Sequence, residues 1–193
     1  MQIKRIKDPI ADESIAQYVV ENLNKEKVFQ NMLQISSLDS GKIKTASIVR
    51  FALRYLVTTD PKEGKESLYN YWSGDKKALL SLDDLAIQSY VEFCTNTLKI
   101  YFSAIKKNFK KDWEDENSKL LTVISLNGFI IAFTRQLSVN GVNDFDFYDK
   151  IFSKWSYDFS NDGFYYTSSQ YKKFSYDILK GAFGLSDDII NSL

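Results

Sequence analysis

The stretch of residues 82–137 constrains the fold more than any other part of the chain, because it predicts two consecutive long helices. Its first half has apolar residues at steps of three or four from Leu82 to Phe109, the spacing of one face of an α-helix of about seven turns. Its second half contains an almost unbroken apolar run over residues 120–133, which predicts a helix buried in a protein interior. The stretch therefore predicts a mainly α fold.

The apolar run does not predict a membrane span. It is shorter than the roughly 20 mostly apolar residues that cross a bilayer, and Thr122, Ser125 and Asn127 interrupt it. The first residues of the chain are basic but lack the apolar segment and cleavage site of a signal peptide. The single cysteine, Cys94, allows no internal disulfide and suits a reducing compartment. We therefore expect a cytoplasmic protein without a membrane partner.

The residues before this stretch predict shorter elements. The only prolines are Pro9 and Pro61, so nothing after residue 61 forces a helix to break. Helical spacing predicts a first helix over residues 12–24. Residues 27–44 change to a β-compatible pattern with a turn signal at residues 39–41, which predicts a small β-hairpin. A helix to Leu56 follows, and its apolar residues form one stripe: Ile48, Val49, Ala52, Leu53 and Leu56.

Residues 144–193 are unusually rich in aromatic side chains. We predict two helices there, over residues 144–154 and 169–180, on either side of an irregular aromatic loop. These rings are expected to pack on the long helices, and a stacking platform for nucleic-acid bases is the alternative. The whole chain, residues 1–193, is expected to form a single helical-bundle domain of about 6–8 helices, with a flexible segment at residues 1–11.

The charged residues limit the chemistry of the chain. Its 25 basic and 25 acidic side chains cancel, so binding to nucleic acid would require a local basic patch. The absence of histidine excludes catalytic triads with histidine, histidine general bases and the usual zinc sites. An enzyme would have to use carboxylates, lysine, tyrosine or a magnesium ion held by acids. We expect no cofactor.

A lysine cluster and a tryptophan lie at the end of the first long helix. Lys106, Lys107, Lys110 and Lys111 favour the negative C-terminal end of a helix, which explains much of the cluster. The alternative is that these lysines contact phosphates and that Trp113 stacks on a base. We predict this group as a nucleic-acid-binding site.

Two arginines form a second basic candidate. Arg50 and Arg54 are four residues apart on the helix that follows the predicted hairpin, so they share one face. Short strands that lead into a capped helix with arginines are typical of winged DNA-binding domains, whereas a solvated surface is the simpler interpretation. We include both arginines in the predicted nucleic-acid-binding set.

Acidic residues after the lysine cluster suggest a rival function. Asp112, Glu114, Asp115 and Glu116 could hold a magnesium ion for an enzyme that acts on nucleotides or nucleic acid. They are better explained as the N-terminal charge cluster of the next helix, with Asn117 or Ser118 as its cap, because adjacent carboxylates face different directions.

The order of segments resembles the C-terminal half of DGQHR-domain proteins, over about residues 13–180. The segments that carry the resemblance are ESIAQYVVENLN, GKIKTASIVRFALRYLV, YFSAIKKNFKKDW, KLLTVISLNGFIIAF and FSKWSYDF. That family includes the regulator-like B component of bacterial DNA phosphorothioation systems. The Asp-Gly-Gln-His-Arg element that names the family is absent here, so no motif residue of the family is assigned to this chain.

The resemblance implies the C-terminal helical part of a larger bacterial protein linked to DNA modification and phage defence. It implies a non-catalytic module whose partners are DNA or proteins of a DNA-modification system. The magnesium-dependent enzyme remains the alternative.

Overall fold

The computed structural model describes residues 9–36, 43–167 and 169–193. Most of the predicted flexible segment, residues 1–8, and the predicted turn at residues 39–41 lie outside the described residues. The fold is mainly helical with one very small sheet, as predicted. The chain divides into two compact units, Met1–Lys99 and Ile100–Leu193, so the single-domain expectation stays a prediction.

The first unit contains mostly short elements between two longer helices. These elements are α1 (Pro9–Lys25), β1 (Leu33–Gln34), β2 (Ile43–Lys44), α2 (Ala46–Ile48), a π-helical turn (Val49–Leu53), α3 (Arg54–Val57), α4 (Leu68–Tyr71), α5 (Lys76–Leu80) and the first part of α6 (Asp84–Asn108). Both α1 and α6 match the predicted helices to within three residues at each end. Asp83 caps α6, because its side chain accepts a hydrogen bond from the Ala86 amide at 2.9 Å.

Tyr90 lies at the centre of the first unit. Its side chain is buried, and its hydroxyl donates a hydrogen bond to the Val57 carbonyl at 2.9 Å. The Trp72 ring lies 5.2 Å from the Tyr90 ring, and the Tyr69 ring contacts it edge-on at 6.1 Å. These contacts fix the end of α3 and the loop around α4 on α6.

The small sheet lies where the sequence predicts a β-hairpin, but its two strands pair in parallel. Leu33 is opposite Ile43, and Gln34 is opposite Lys44. A tight hairpin turn joins antiparallel strands, so the parallel pairing differs from the predicted hairpin. The Thr45 hydroxyl donates to the Gln34 carbonyl at 2.6 Å and ties β1 to the start of the following helix.

The second unit is built around the apolar run predicted to be buried. It contains the rest of α6 together with α7 (Lys110–Glu114), α8 (Val123–Asn140), α9 (Phe145–Phe152), α10 (Tyr171–Gly181) and α11 (Asp187–Ser192). Nearly every residue from Ser125 to Phe133 is buried. The ring of Tyr101 is enclosed by other rings at centroid distances from 4.7 Å, for Phe133, to 6.5 Å, for Phe129. Of the tail's aromatic residues, those buried in this core are Tyr148, Phe152, Phe159, Phe164, Tyr166 and Phe174.

The limits of α8 differ from those expected. The helix begins at Val123, and its cap is Thr122, whose hydroxyl accepts a hydrogen bond from the Ser125 amide at 3.3 Å. The predicted cap, Asn117 or Ser118, is wrong, and the Lys119 amide that would follow it donates instead to the Phe159 carbonyl at 2.8 Å. The helix ends at Asn140, where Gly141 follows with a φ of 68° and its amide donates to the Leu137 carbonyl.

Within the described residues, no helix combines the length and the apolar character that a membrane crossing needs.

Candidate nucleic-acid interface

The lysine elbow, which we define as Lys106, Lys107, Lys110, Lys111 and Trp113, lies where α6 ends and α7 begins. Lys107 already has a partner there, because its Nζ atom lies 2.7 Å from Oδ2 of Asp149 on α9. The Asn108 side chain donates to the other carboxylate oxygen of Asp149 at 2.8 Å. Hydrogen bonds from Lys107 and Asn108 lower the pKa of Asp149. Much of the Lys107 charge is therefore compensated.

Lys106 and Trp113 contact each other. The Nζ atom of Lys106 lies 5.7 Å from the centre of the Trp113 ring, within the range of a cation–π interaction. Partial burial lowers the pKa of Lys106, and the charge of Glu114 opposes this shift. Trp113 is only 2% exposed, so its ring is not accessible to a stacking base in this structure.

Lys110 and Lys111 are exposed, like Lys107, but neither is held as closely by an acidic side chain as Lys107 is by Asp149. The Nζ atom of Lys110 lies 3.9 Å from the Glu114 carboxylate, and both side chains are largely solvated, so this ion pair is weak. No ion pair of Lys111 occurs among the residues that the structure describes. Only these two lysines could contact a phosphate without first leaving a close partner.

The acidic residues around the elbow stabilise the loop before α8. Asp112 accepts a hydrogen bond from the Ser118 hydroxyl at 3.2 Å. Asp115 accepts bonds from the backbone amide and the side chain of Asn117, at 2.9 and 3.3 Å. Within residues 9–36, 43–167 and 169–193, no three metal-ligating side chains gather as a metal site requires. No observation on Asp112, Glu114, Asp115 or Glu116 favours the magnesium enzyme.

The arginine face, which we define as Arg50, Phe51, Arg54 and Tyr55, is on the helical segment that follows β2. The predicted apolar stripe of this segment is confirmed, since every member is buried. The opposite side carries the arginine face, in which Phe51 is 44% exposed and Tyr55 is 51% exposed. Because residues four apart share a side of a helix, the face consists of a pair of arginines beside a pair of rings.

Each arginine lies over the ring of its neighbour. The guanidinium carbon of Arg50 is 5.6 Å from the centre of the Phe51 ring, and that of Arg54 is 4.6 Å from the Tyr55 ring. Arg54 also donates to the Tyr55 hydroxyl at 2.6 Å and forms an ion pair with Glu13 at 3.1 Å. Arg50 is exposed and has no ion pair among the described residues.

Phe51 and Tyr55 were not predicted as site residues. The signal was in the sequence, because these two large aromatic residues fall outside the apolar stripe of their helix and lie next to the arginines. Large aromatic residues away from the core face of an amphipathic helix are typical of binding surfaces.

The chain matches no family model, no curated protein and no solved structure. The resemblance to DGQHR-domain proteins therefore stays a prediction.

Proposed function

We propose that this chain is a non-catalytic helical module of a bacterial DNA-modification or defence protein, and that it binds DNA. The observation that carries DNA binding is the arginine face. Residues 43–59 contain three basic side chains, Lys44, Arg50 and Arg54, and no acidic residue. Exposed guanidinium groups are well suited to phosphates, because their planar donors can bind two phosphate oxygens at once.

The net charge of the chain offers little general attraction for DNA. The whole chain has equal numbers of basic and acidic residues, so contact with phosphates depends on where the positive charges are concentrated. The arginine face has an accessible Arg50, whereas Lys106 and Lys107 of the lysine elbow are engaged with Trp113 and Asp149. Lys110 and Lys111 are the second candidate contacts.

A titration of labelled DNA with the full chain tests the proposal. A duplex and a single strand of the same sequence are compared by fluorescence anisotropy at several salt concentrations. Phosphate contacts predict a logarithm of the association constant that falls linearly with the logarithm of salt concentration, by about 0.9 per contact on duplex and about 0.7 on a single strand.

Matched variants show which residues carry the binding. Arg50→Ala should weaken binding and reduce the salt slope by about one contact. The control is Lys173→Ala, which removes an exposed positive charge from α10 and should leave both quantities unchanged. If neither DNA form binds at low salt, DNA binding is wrong, and contact with proteins of the same system is what remains of the proposal.

A further inference from the structure

We infer that the arginine face binds single-stranded nucleic acid in preference to duplex, by stacking unpaired bases on Phe51 and Tyr55. This inference rests on the proposed function, since it names the nucleic-acid form that the same surface recognises. It concerns the two rings, whereas the proposal above concerns the arginines.

The first argument is the exposure of the two rings. Most aromatic side chains of the described chain fill the cores of the two units, but Phe51 and Tyr55 keep 44% and 51% of their surface in solvent. Neither ring is needed to complete the apolar stripe, which occupies the other side of the same segment. Large rings held on a rigid helix are suited to stacking, because few rotatable bonds are restricted on binding.

The second argument is the access of the two rings to the faces of bases. Phe51 and Tyr55 are four residues apart, and Phe51 lies in the π-helical turn Val49–Leu53. Consecutive bases of a B-form strand are about 3.4 Å apart and stack on each other without a gap. Bases that remain paired and stacked present no free face to Phe51 or Tyr55, whereas the bases of an unpaired strand can be splayed out and stacked on aromatic rings.

The third argument is charge complementarity. A guanidinium lies against each ring, Arg50 by Phe51 and Arg54 by Tyr55, and residues 43–59 contain no acidic residue. Glu13 of α1 forms an ion pair with Arg54, so Arg50 is the cation of the face that a phosphate can bind directly. Proteins that bind single strands combine positive groups that follow the backbone with aromatic rings that stack on bases. An acidic protein partner would be attracted by the arginines but would gain little from this pairing of each cation with an accessible ring.

The backbone of the face is also unusual. Residues Val49–Leu53 form a π-helical turn, in which the Arg54 amide donates to the Val49 carbonyl. Such turns are rare within helices and frequently occur at functional sites. This turn carries both Arg50 and Phe51, so it sets the direction in which the first cation and the first ring project from the helix.

The test compares three ligands of equal length on the full chain: a single strand, the duplex of the same sequence, and a deoxyribose-phosphate strand without bases. We expect the single strand to bind at least about fivefold more tightly than either of the other two, which is the lower end of the effect of one stacked base. Equal affinity for all three ligands would overturn the inference.

Variants separate stacking from charge. Phe51→Leu and Tyr55→Leu should each weaken single-strand binding by about five- to tenfold and leave the salt slope unchanged, because no charge is removed. Arg50→Ala should instead reduce the slope. The control is Tyr165→Leu, which removes a ring that is 73% exposed in a loop of the second unit and should have no effect.

Failure of this inference and failure of the proposed function give different results. DNA binding that depends on Arg50 but is unchanged in Phe51→Leu and Tyr55→Leu would overturn the stacking inference and retain the proposed function. An absence of binding to all three ligands would overturn both. Circular dichroism of each variant confirms that the helical fold is retained.

Discussion

Gly128→Ala tests how closely α8 and α10 approach each other. An ideal Cβ atom at residue 128 would lie 2.4 Å from Cδ1 of the Phe174 ring and 3.2 Å from its Cγ. The first distance is far below van der Waals contact, so the ring or the helix must move. Phe174 is fully buried and lies between other rings, including Phe129 at 5.4 Å and Phe164 at 5.1 Å, so it has little room to move.

The expected free-energy change is the difference between two effects. Replacing glycine by alanine inside a helix ordinarily stabilises a protein by about 0.5–1 kcal/mol. Overpacking a well-packed core costs about 1–3 kcal/mol. Because the Phe174 ring is confined, we expect the upper part of that range and a net loss of about 1–2 kcal/mol in the free energy of unfolding.

Urea denaturation followed by circular dichroism and tryptophan fluorescence measures this loss. The double variant Gly128→Ala, Phe174→Leu gives the decisive comparison, because leucine has no ring atom at the point of conflict. Adding Gly128→Ala to a Phe174→Leu background should cost less than it does in the native chain, which is a measurable coupling between the two sites. A Gly128→Ala protein as stable as the native one would refute the close approach of the two helices.

Three further predictions follow from buried or capping groups. Burial raises the pKa of Tyr148 to about 12, above the value of about 10 in an unfolded chain. The stabilisation linked to this proton is therefore complete below pH 10 and is lost as the pH rises towards 12. The difference in the free energy of unfolding between the native protein and Tyr148→Phe should accordingly be constant below pH 10 and change between pH 10 and pH 12. Burial raises the pKa of the Cys94 thiol, so a thiol reagent should label it only after denaturation; rapid labelling of native protein would contradict its position. Asp144→Ala removes the cap that accepts from the Phe147 amide at 3.0 Å and should cost about 1 kcal/mol in urea denaturation, whereas Asp144→Asn should cost much less.

The sequence predicts the elements of this fold that depend on local pattern. Helical spacing gives α1 and α6 nearly to their ends, and the apolar run gives the buried part of α8. The parallel pairing of Leu33 with Ile43 was not predictable, because strand direction depends on the path of the chain between them. The start of α8 was wrong for a related reason: several residues could cap the helix, and a bond from Lys119 to distant Phe159 decides between them.

The candidate site was predictable only in part. The basic residues are visible in the sequence, but their partners are not, because Lys107 meets Asp149 across 42 positions of the chain. The burial of Trp113 likewise depends on packing rather than on its neighbours in the sequence. The exposure of Phe51 and Tyr55 could have been inferred, since the stripe of their helix already accounts for its buried side.

The lysine elbow and the arginine face differ in which of their side chains are already held by partners within the fold. This difference favours the arginine face as a binding surface. In the lysine elbow, Lys107 is paired with Asp149 of α9 at an exposed position, so a phosphate that recruits Lys107 must first break this ion pair. In the arginine face, the helical period places the core residues on one side and Arg50 with the two rings on the other. A ligand can therefore engage Arg50 without breaking an ion pair of the described residues, whereas Arg54 must first leave Glu13. Arg50→Ala should accordingly change binding with little change in stability.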